Sequence, residues 1–239
     1  PVVSEGDRTA MLAALDSGWV APVGPSVDEF ERLMAARCER KYAVELSSGS
    51  AALHLALLGL GLGPGDEVIV PTFTFAATAF AVCYIGASPV FLDVESQSWN
   101  LDPDLLADFL AFRAKVGKLP KAVIAVDIFG RTADYDRIIP LCESFGVSVL
   151  ADSAESLGAT HGTSPAGSAG IAASLSFNGN KIITTSGGGM LLTDSEELWS
   201  RTRCLANQAR EPLPWYEHRE VGHNYRMSNL LAALGVSQL

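Results

Sequence analysis

Lys181 stands in the run Ser174-Leu-Ser-Phe-Asn-Gly-Asn-Lys-Ile-Ile-Thr-Thr-Ser-Gly-Gly-Gly189, where nearly every chain neighbour is small, neutral or apolar. A lysine amine is a nucleophile only when unprotonated, and burial among uncharged groups favours that form. The run therefore reads as a Schiff-base site. Upstream, the apolar run Val147 to Ala151 ends in Asp152, at the place where an open α/β sheet presents residues to a ligand. An aspartate there and a lysine at a later strand-to-loop junction suit pyridoxal phosphate, because the carboxylate can hold the pyridine nitrogen protonated while the amine bonds the cofactor. Taken singly, such a lysine is a solvated turn residue and such an aspartate a helix cap, so the chemistry rests on the set.

Two further segments enlarge that set. Ser47-Ser-Gly-Ser50 opens the apolar helical run Ala51 to Leu58, and the free amides of a helix start, with hydroxyls beside them, form an anion site fit for a phosphate. An ordinary serine N-cap would leave the same trace. Pro71-Thr-Phe-Thr-Phe75 follows the strand-like Glu67-Val-Ile-Val70, and a ring at its end could stack on a pyridine face or pack into a core.

Five blocks in order, Ser-Gly-Ser-Ala-Ala-Leu at 48 to 53, Gly-Asp-Glu-Val-Ile-Val-Pro at 65 to 71, Asp152-Ser-Ala-Glu155, Ser176-Phe-Asn-Gly-Asn-Lys181 and Gly222-His-Asn-Tyr-Arg-Met227, resemble the DegT/DnrJ/EryC1/StrS group of sugar aminotransferases. The resemblance runs from the first helix to the last residue. It implies fold type I, like aspartate aminotransferase, with Lys181 attached to pyridoxal phosphate and shuttling a proton, and Asp152 paired with the pyridine nitrogen. Phe75 would stack on the ring, while Ser48, Gly49, Ser50 and Ser176 would hold the phosphate. Glu155 falls where many relatives have Gln or His near the cofactor's phenolic oxygen, and a carboxylate there needs a proton or a bridging group. Asn224, in the Gly-x-Asn-x-Arg pattern, would reach the phosphate of a partner subunit, so the resemblance implies a homodimer with shared sites. It also implies transfer of an amino group, from L-glutamate, to a nucleotide-linked keto-deoxysugar, with C4 of a UDP-linked 4-keto-6-deoxy-N-acetylhexosamine the nearest match. The alternatives are a dTDP- or GDP-linked ketosugar, a cyclitol ketone, or a silent cofactor-binding module. The sugar-dehydratase branch carries His in place of the lysine, so Lys181 argues against it.

Composition agrees with a cytoplasmic enzyme. The chain has 239 residues, 48% of them hydrophobic, and a formal net charge of −10, which suits one buried core and opposes nucleic acid or an anionic membrane. Cys38, Cys83, Cys142 and Cys204 show neither Cys-x-x-Cys nor a secreted framework and are expected to be buried or inert. His54, His161, His218 and His223 lack metal-ligand spacing, so no metal is expected. The uncharged stretch from Val68 to Leu92 is broken by Pro71, Gly86 and Pro89 into strand, helix and strand, and reads as a buried β-α-β unit.

The elements that must hold these residues are strands at 67 to 70, 89 to 92, 122 to 127, 147 to 151, 171 to 177 and 189 to 193. They alternate with helices near 50 to 60, 75 to 85, 103 to 112 and 134 to 145, with a further helical run from Ser228 to Leu234. This predicts an α/β, three-layer, doubly wound, mostly parallel sheet. Residues 1–30 read as an N-terminal segment and 31–239 as the large cofactor domain, with the family's small C-terminal domain lying beyond Leu239. Gly61-Leu-Gly-Pro-Gly65 follows a helix and precedes a strand, the reverse of a dinucleotide turn, which weighs against a nucleotide-binding oxidoreductase. Gly187-Gly-Gly189 is expected to be a tight turn between short strands, and Asp194-Ser-Glu-Glu to cap a helix.

Overall fold

In the computed structural model, which describes residues 2–239, the strands in chain order are β1 (Tyr42–Leu46), β2 (Glu67–Pro71), β3 (Ser88–Leu92), β4 (Ala122–Val126), β5 (Ser148–Asp152), a two-residue hairpin of β6 (Thr160–His161) and β7 (Ser164–Pro165), then β8 (Ala172–Ser176) and β9 (Gly189–Thr193). All but β6 and β7 join one seven-stranded sheet in the order β1-β9-β8-β5-β4-β2-β3. Every pairing from β3 to β8 is parallel, and only β9 runs against its neighbours. The helices are α1 (Glu5–Asp16), α2 (Pro25–Arg37), α3 (Gly49–Gly59), α4 (Ala76–Tyr84), α5 (Pro103–Lys115), α6 (Tyr135–Ser144), α7 (Glu196–Ala206) and α8 (Asn229–Gln238).

Alternation along the strands builds the three layers, because successive side chains leave a strand on opposite faces. Ile69, Val123, Ala125, Val149, Ala151, Leu175, Met190 and Leu192 point to one face, where α2, α5, α6 and α8 supply Phe30, Met34, Leu106, Leu110, Ile138 and Ala232. Val68, Val70, Ile124, Leu150 and Leu191 point to the other, beneath α3, α4 and α7 with Leu55, Leu57, Val82, Leu198 and Leu205. The strands are apolar on both sides because both sides are covered. Phe30 is fully buried and its ring centroid lies 4.9 Å from that of Phe177, the residue just after β8. Burying one such ring is worth about 1.5–3 kcal/mol. This contact ties α2 to the start of the loop that carries Lys181, and α2 itself runs across the expected division at residue 30.

Several expectations are corrected. β1 was not expected as a strand. The β8–β9 connection is a loop of residues 177–188 rather than a tight turn at the triple glycine, and Gly189 is the first residue of β9. The Asp194-Ser-Glu-Glu segment does cap α7, through Ser195, whose hydroxyl accepts from the Leu198 amide, while Asp194 accepts from Arg40 and the Lys41 amide. The β2-α4-β3 unit is buried only on its inner side, since Phe80, Cys83, Tyr84 and Phe91 are exposed. Among the described residues, no helix is long and apolar enough to cross a membrane.

Candidate active site

The sheet's parallel strands release their chain at one edge, and there a cavity of about 530 Å³ opens. Its lining includes Ser48, Gly49, Ser50, Phe75, Asp152, Glu155, Ser176 and Lys181. These residues come from four separate connections, after β1, β2, β5 and β8, brought together by strand order. Asn224 is exposed and does not line this cavity, although the adjacent Tyr225 carbonyl accepts from the Ser47 amide at 2.7 Å.

Each position has a local cause. Ser48 is extended and its hydroxyl accepts from the Ala51 amide at 3.0 Å, which starts α3. The amides of Gly49 and Ser50 lie in the first turn, where no intrahelical acceptor exists, and are free to meet an anion. Gly189 lets this helix start press on the sheet, because a Cβ there would lie 2.2 Å from the Ser48 carbonyl carbon and 2.4 Å from the Gly49 nitrogen. Phe75 is the N-cap residue of α4 and 76% exposed, so its ring stands in the cavity mouth rather than in the core. The 177–188 loop is closed on itself by bonds from the Phe177 amide to the Gly188 carbonyl at 2.8 Å and from the Thr185 amide to the Phe177 carbonyl at 2.9 Å. Lys181 lies in that loop, its own amide bonded to the Asn178 carbonyl at 3.0 Å.

Asp152 ends β5 and is buried. Its Oδ2 accepts from the Thr78 hydroxyl at 2.7 Å, and its Oδ1 accepts from the Ser174 hydroxyl and the Ala154 amide, both at 3.3 Å. Burial pushes its carboxyl above the usual aspartate range, against the pull of these three donors. Thr78 and Ser174 were not singled out in the sequence, and Thr78 could have been, since it lies one helical turn beyond Thr74 and faces the same way. The hydroxyls of Thr74 and Thr78 bond each other at 2.8 Å.

Lys181 does not lie among uncharged neighbours. Its Nζ is 3.2 Å from Glu155 Oε1, with the lysine side chain 14% exposed and the glutamate 33%. Glu155 Oε2 in turn accepts from the Phe129 amide at 3.0 Å. The charge that looked awkward beside a phenolic oxygen thus has a cation against it. Phe73 and Phe129 were also missed: they line the cavity with their ring centroids 5.7 Å apart. Among the described residues no cluster of three or more His, Cys, Asp or Glu side chains could hold a metal.

The arrangement has close counterparts. A putative pyridoxal phosphate-dependent aminotransferase EpsN from Bacillus subtilis is 47% identical over 239 residues, which is 100% of this chain and 62% of the relative. A GDP-perosamine synthase from Caulobacter vibrioides is 40% identical over the whole chain and 63% of its own length. The solved PLP form of a putative sugar aminotransferase, Spr1654 of Streptococcus pneumoniae, superposes with a TM-score of 0.89 at 29% identity, over 100% of this chain and 64% of that one. The chain spans a little over three fifths of the length of these relatives. The cavity fits the cofactor that two of these names print. It has free helix-start amides for a phosphate, an amine on a closed loop, and a buried carboxylate supported by three donors. The match to the family covers residues 2–239, and the chain belongs to the DegT/DnrJ/EryC1/StrS aminotransferase family.

Proposed function

We propose that this chain forms the cofactor-binding part of an enzyme that transfers an amino group, from L-glutamate, to a keto carbon of a nucleotide-linked deoxysugar. The observation that carries the reading is that Lys181, the one lysine lining the cavity among the described residues, shares it with buried Asp152 and the start of α3. Pyridoxal phosphate, when bound, supplies the electron sink that lets the carbon bearing the amino group lose its proton.

The residues divide the remaining work. The Gly49 and Ser50 amides, with the Ser50 and Ser176 hydroxyls, hold the phosphate against the positive end of α3. Asp152 holds the proton on the pyridine nitrogen, and Thr78 and Ser174 keep its carboxylate aimed. Phe75 covers the ring face and excludes water. Lys181 would hold the cofactor through Nζ, and its amine, when free, would accept the substrate proton and return it. Glu155, 3.2 Å away, would orient the amine and offset its positive charge when it is protonated.

The likeness to a GDP-perosamine synthase supports a nucleotide-linked sugar as acceptor. Within that class, C4 of a UDP-linked 4-keto-6-deoxy-N-acetylhexosamine and the equivalent carbon of a GDP- or dTDP-linked ketosugar are the substrates to try first. The exposure of Asn224, outside its own chain's cavity, supports a homodimer in which it bonds the phosphate held by a second copy, and a cytoplasmic location belongs to the same reading.

The test is chemical. Protein loaded with pyridoxal phosphate and reduced with borohydride should carry the pyridoxyl group on the Lys181 peptide, and glutamate should yield one equivalent of 2-oxoglutarate per site before any sugar is added. Label on Lys115, Lys118 or Lys121 would move the site. Correct label with no 2-oxoglutarate would leave a silent cofactor-binding module.

A further inference from the structure

Asp127, the first residue after β4, has a fully buried side chain that the proposed chemistry does not use. Its Oδ1 accepts from the Ala133 amide at 2.9 Å and the Tyr135 hydroxyl at 2.8 Å, and its Oδ2 accepts from the hydroxyls of Ser153 at 2.8 Å and Ser156 at 2.7 Å. A carboxylate is an acceptor with about four lone-pair sites, and here four donors fill them. The donors belong to two different segments. Ala133 and Tyr135 close the loop that begins at Asp127 itself, while Ser153 and Ser156 bracket the turn that carries Glu155.

The same two segments meet again over the cavity. The Phe129 amide donates to Glu155 Oε2 at 3.0 Å, with Phe129 in the left-handed region at φ 52°, and Glu155 Oε1 lies 3.2 Å from Lys181 Nζ. A left-handed phenylalanine costs energy and persists only where its surroundings hold it. Asn100, buried beneath, accepts from the Ile128 amide at 3.1 Å and donates to the Arg131 and Thr132 carbonyls at 3.1 and 3.0 Å. The loop is thus pinned at its middle by Asn100 and at its ends by Asp127.

We infer that Asp127 is a positioning residue: by binding both segments it sets the Glu155 carboxylate against the Lys181 amine. Only the catalytic meaning of that pair rests on the function proposed above. An Asn at 127 would keep the arrangement, because its oxygen can accept from Ala133 and Tyr135 while its amide donates to the two serine hydroxyls, which rotate to accept. An Ala would leave four buried donors unpaired and free Glu155 to drift.

The readout is the acylation rate of Lys181 by dilute acetic anhydride at neutral pH, followed by peptide mass spectrometry with exposed Lys118 as internal reference, on the full chain without added cofactor. A paired ammonium is protected, so Glu155→Gln should raise the Lys181 rate about three- to fivefold, the population factor of an ion pair at the strong end for partly exposed groups. Asp127→Ala should match it, Asp127→Asn should stay near wild type, and Asp127→Ala combined with Glu155→Gln should be no faster than Glu155→Gln alone. Thermal unfolding reports folding separately. If Asp127→Ala does not fold, Ser156→Ala and Tyr135→Phe each remove one tie and should give a smaller rise. A lowered melting temperature with an unchanged Lys181 rate, or additive effects in the double variant, would overturn the inference. Because no cofactor is needed, failure to bind pyridoxal phosphate refutes the proposed function without affecting this result.

Discussion

Acidification tests the packing beside the candidate site through His54, on α3. This side chain is 6% exposed, its Nδ1 is buried without a hydrogen-bond partner, and its ring meets those of His223, Tyr84 and Tyr225 at centroid distances of 4.8, 5.6 and 5.9 Å. Burial, then the neighbouring His223, lowers its pKa from 6.5 to about 4, and burial lowers His223 as well. A histidine whose folded pKa is depressed binds fewer protons in the folded state. Its contribution is therefore intact above about pH 6.5 and lost as pH falls towards 4. For one group moving from 6.5 to about 4, linkage gives a loss of about 2–3 kcal/mol between roughly pH 7.5 and 4.5. Urea unfolding at both pH values, in wild type and in His54→Leu, isolates the term. The variant should lose about 2 kcal/mol less than wild type on acidification, whatever its stability at pH 7.5. Equal losses in the two proteins would show that His54 is accessible to protons in the folded state and refute the packing argument.

Three other perturbations bear on the site. Gly189→Ala drives a methyl group into the backbone of Ser48 and Gly49, so the start of α3 must move. We expect about 1–3 kcal/mol of destabilisation and at least tenfold weaker pyridoxal phosphate binding by titration, and unaltered binding would remove the phosphate role from that helix start. Asp152→Asn keeps shape and loses charge, so the glutamate half-reaction should slow on the order of 100-fold while the cofactor still binds, and a wild-type rate would make Asp152 a structural residue. Mixing Lys181→Ala with Asn224→Ala subunits should restore activity in some heterodimers, because one of their two sites carries neither lesion; mixtures no more active than either parent would exclude a shared site.

The sequence exposed those parts of the fold where one local pattern decides the outcome. Continuous apolar runs marked β2, β4, β5 and β9 because both faces of the sheet are covered. β1 was hidden by Glu45, a charged residue in the middle of a buried strand, and its compensation comes from far along the chain. Arg226 Nε donates to its Oε1, and its backbone amide donates to Glu31 Oε1 at 3.0 Å. Ser48 and Asp152 could be singled out because helix starts and strand ends have fixed chemistry, whereas Ser176 entered only through the family resemblance. Asp127 was not, since its four donors come from two loops and none lies at a diagnostic spacing. Likewise the Glu155–Lys181 pair joins residues 26 apart in sequence that meet only after the sheet is ordered. Cys83 is exposed on the side of α4 that, among the described residues, nothing covers.

The reversed strand β9 has a kinetic consequence. β1 is an edge strand whose single sheet neighbour is β9, and they pair from Tyr42 with Thr193 to Leu46 with Gly189, across most of the chain. During synthesis β1 therefore waits without a ladder partner while β2 to β8 are made, and loop-closure entropy makes so distant a pairing slow. The start of α3 rests on Gly189, so the anion-binding corner is completed by this last pairing and cannot template the earlier ones. Regain of ligand binding should then trail regain of secondary structure in refolding, with an unpaired strand edge exposed to aggregation in the interval.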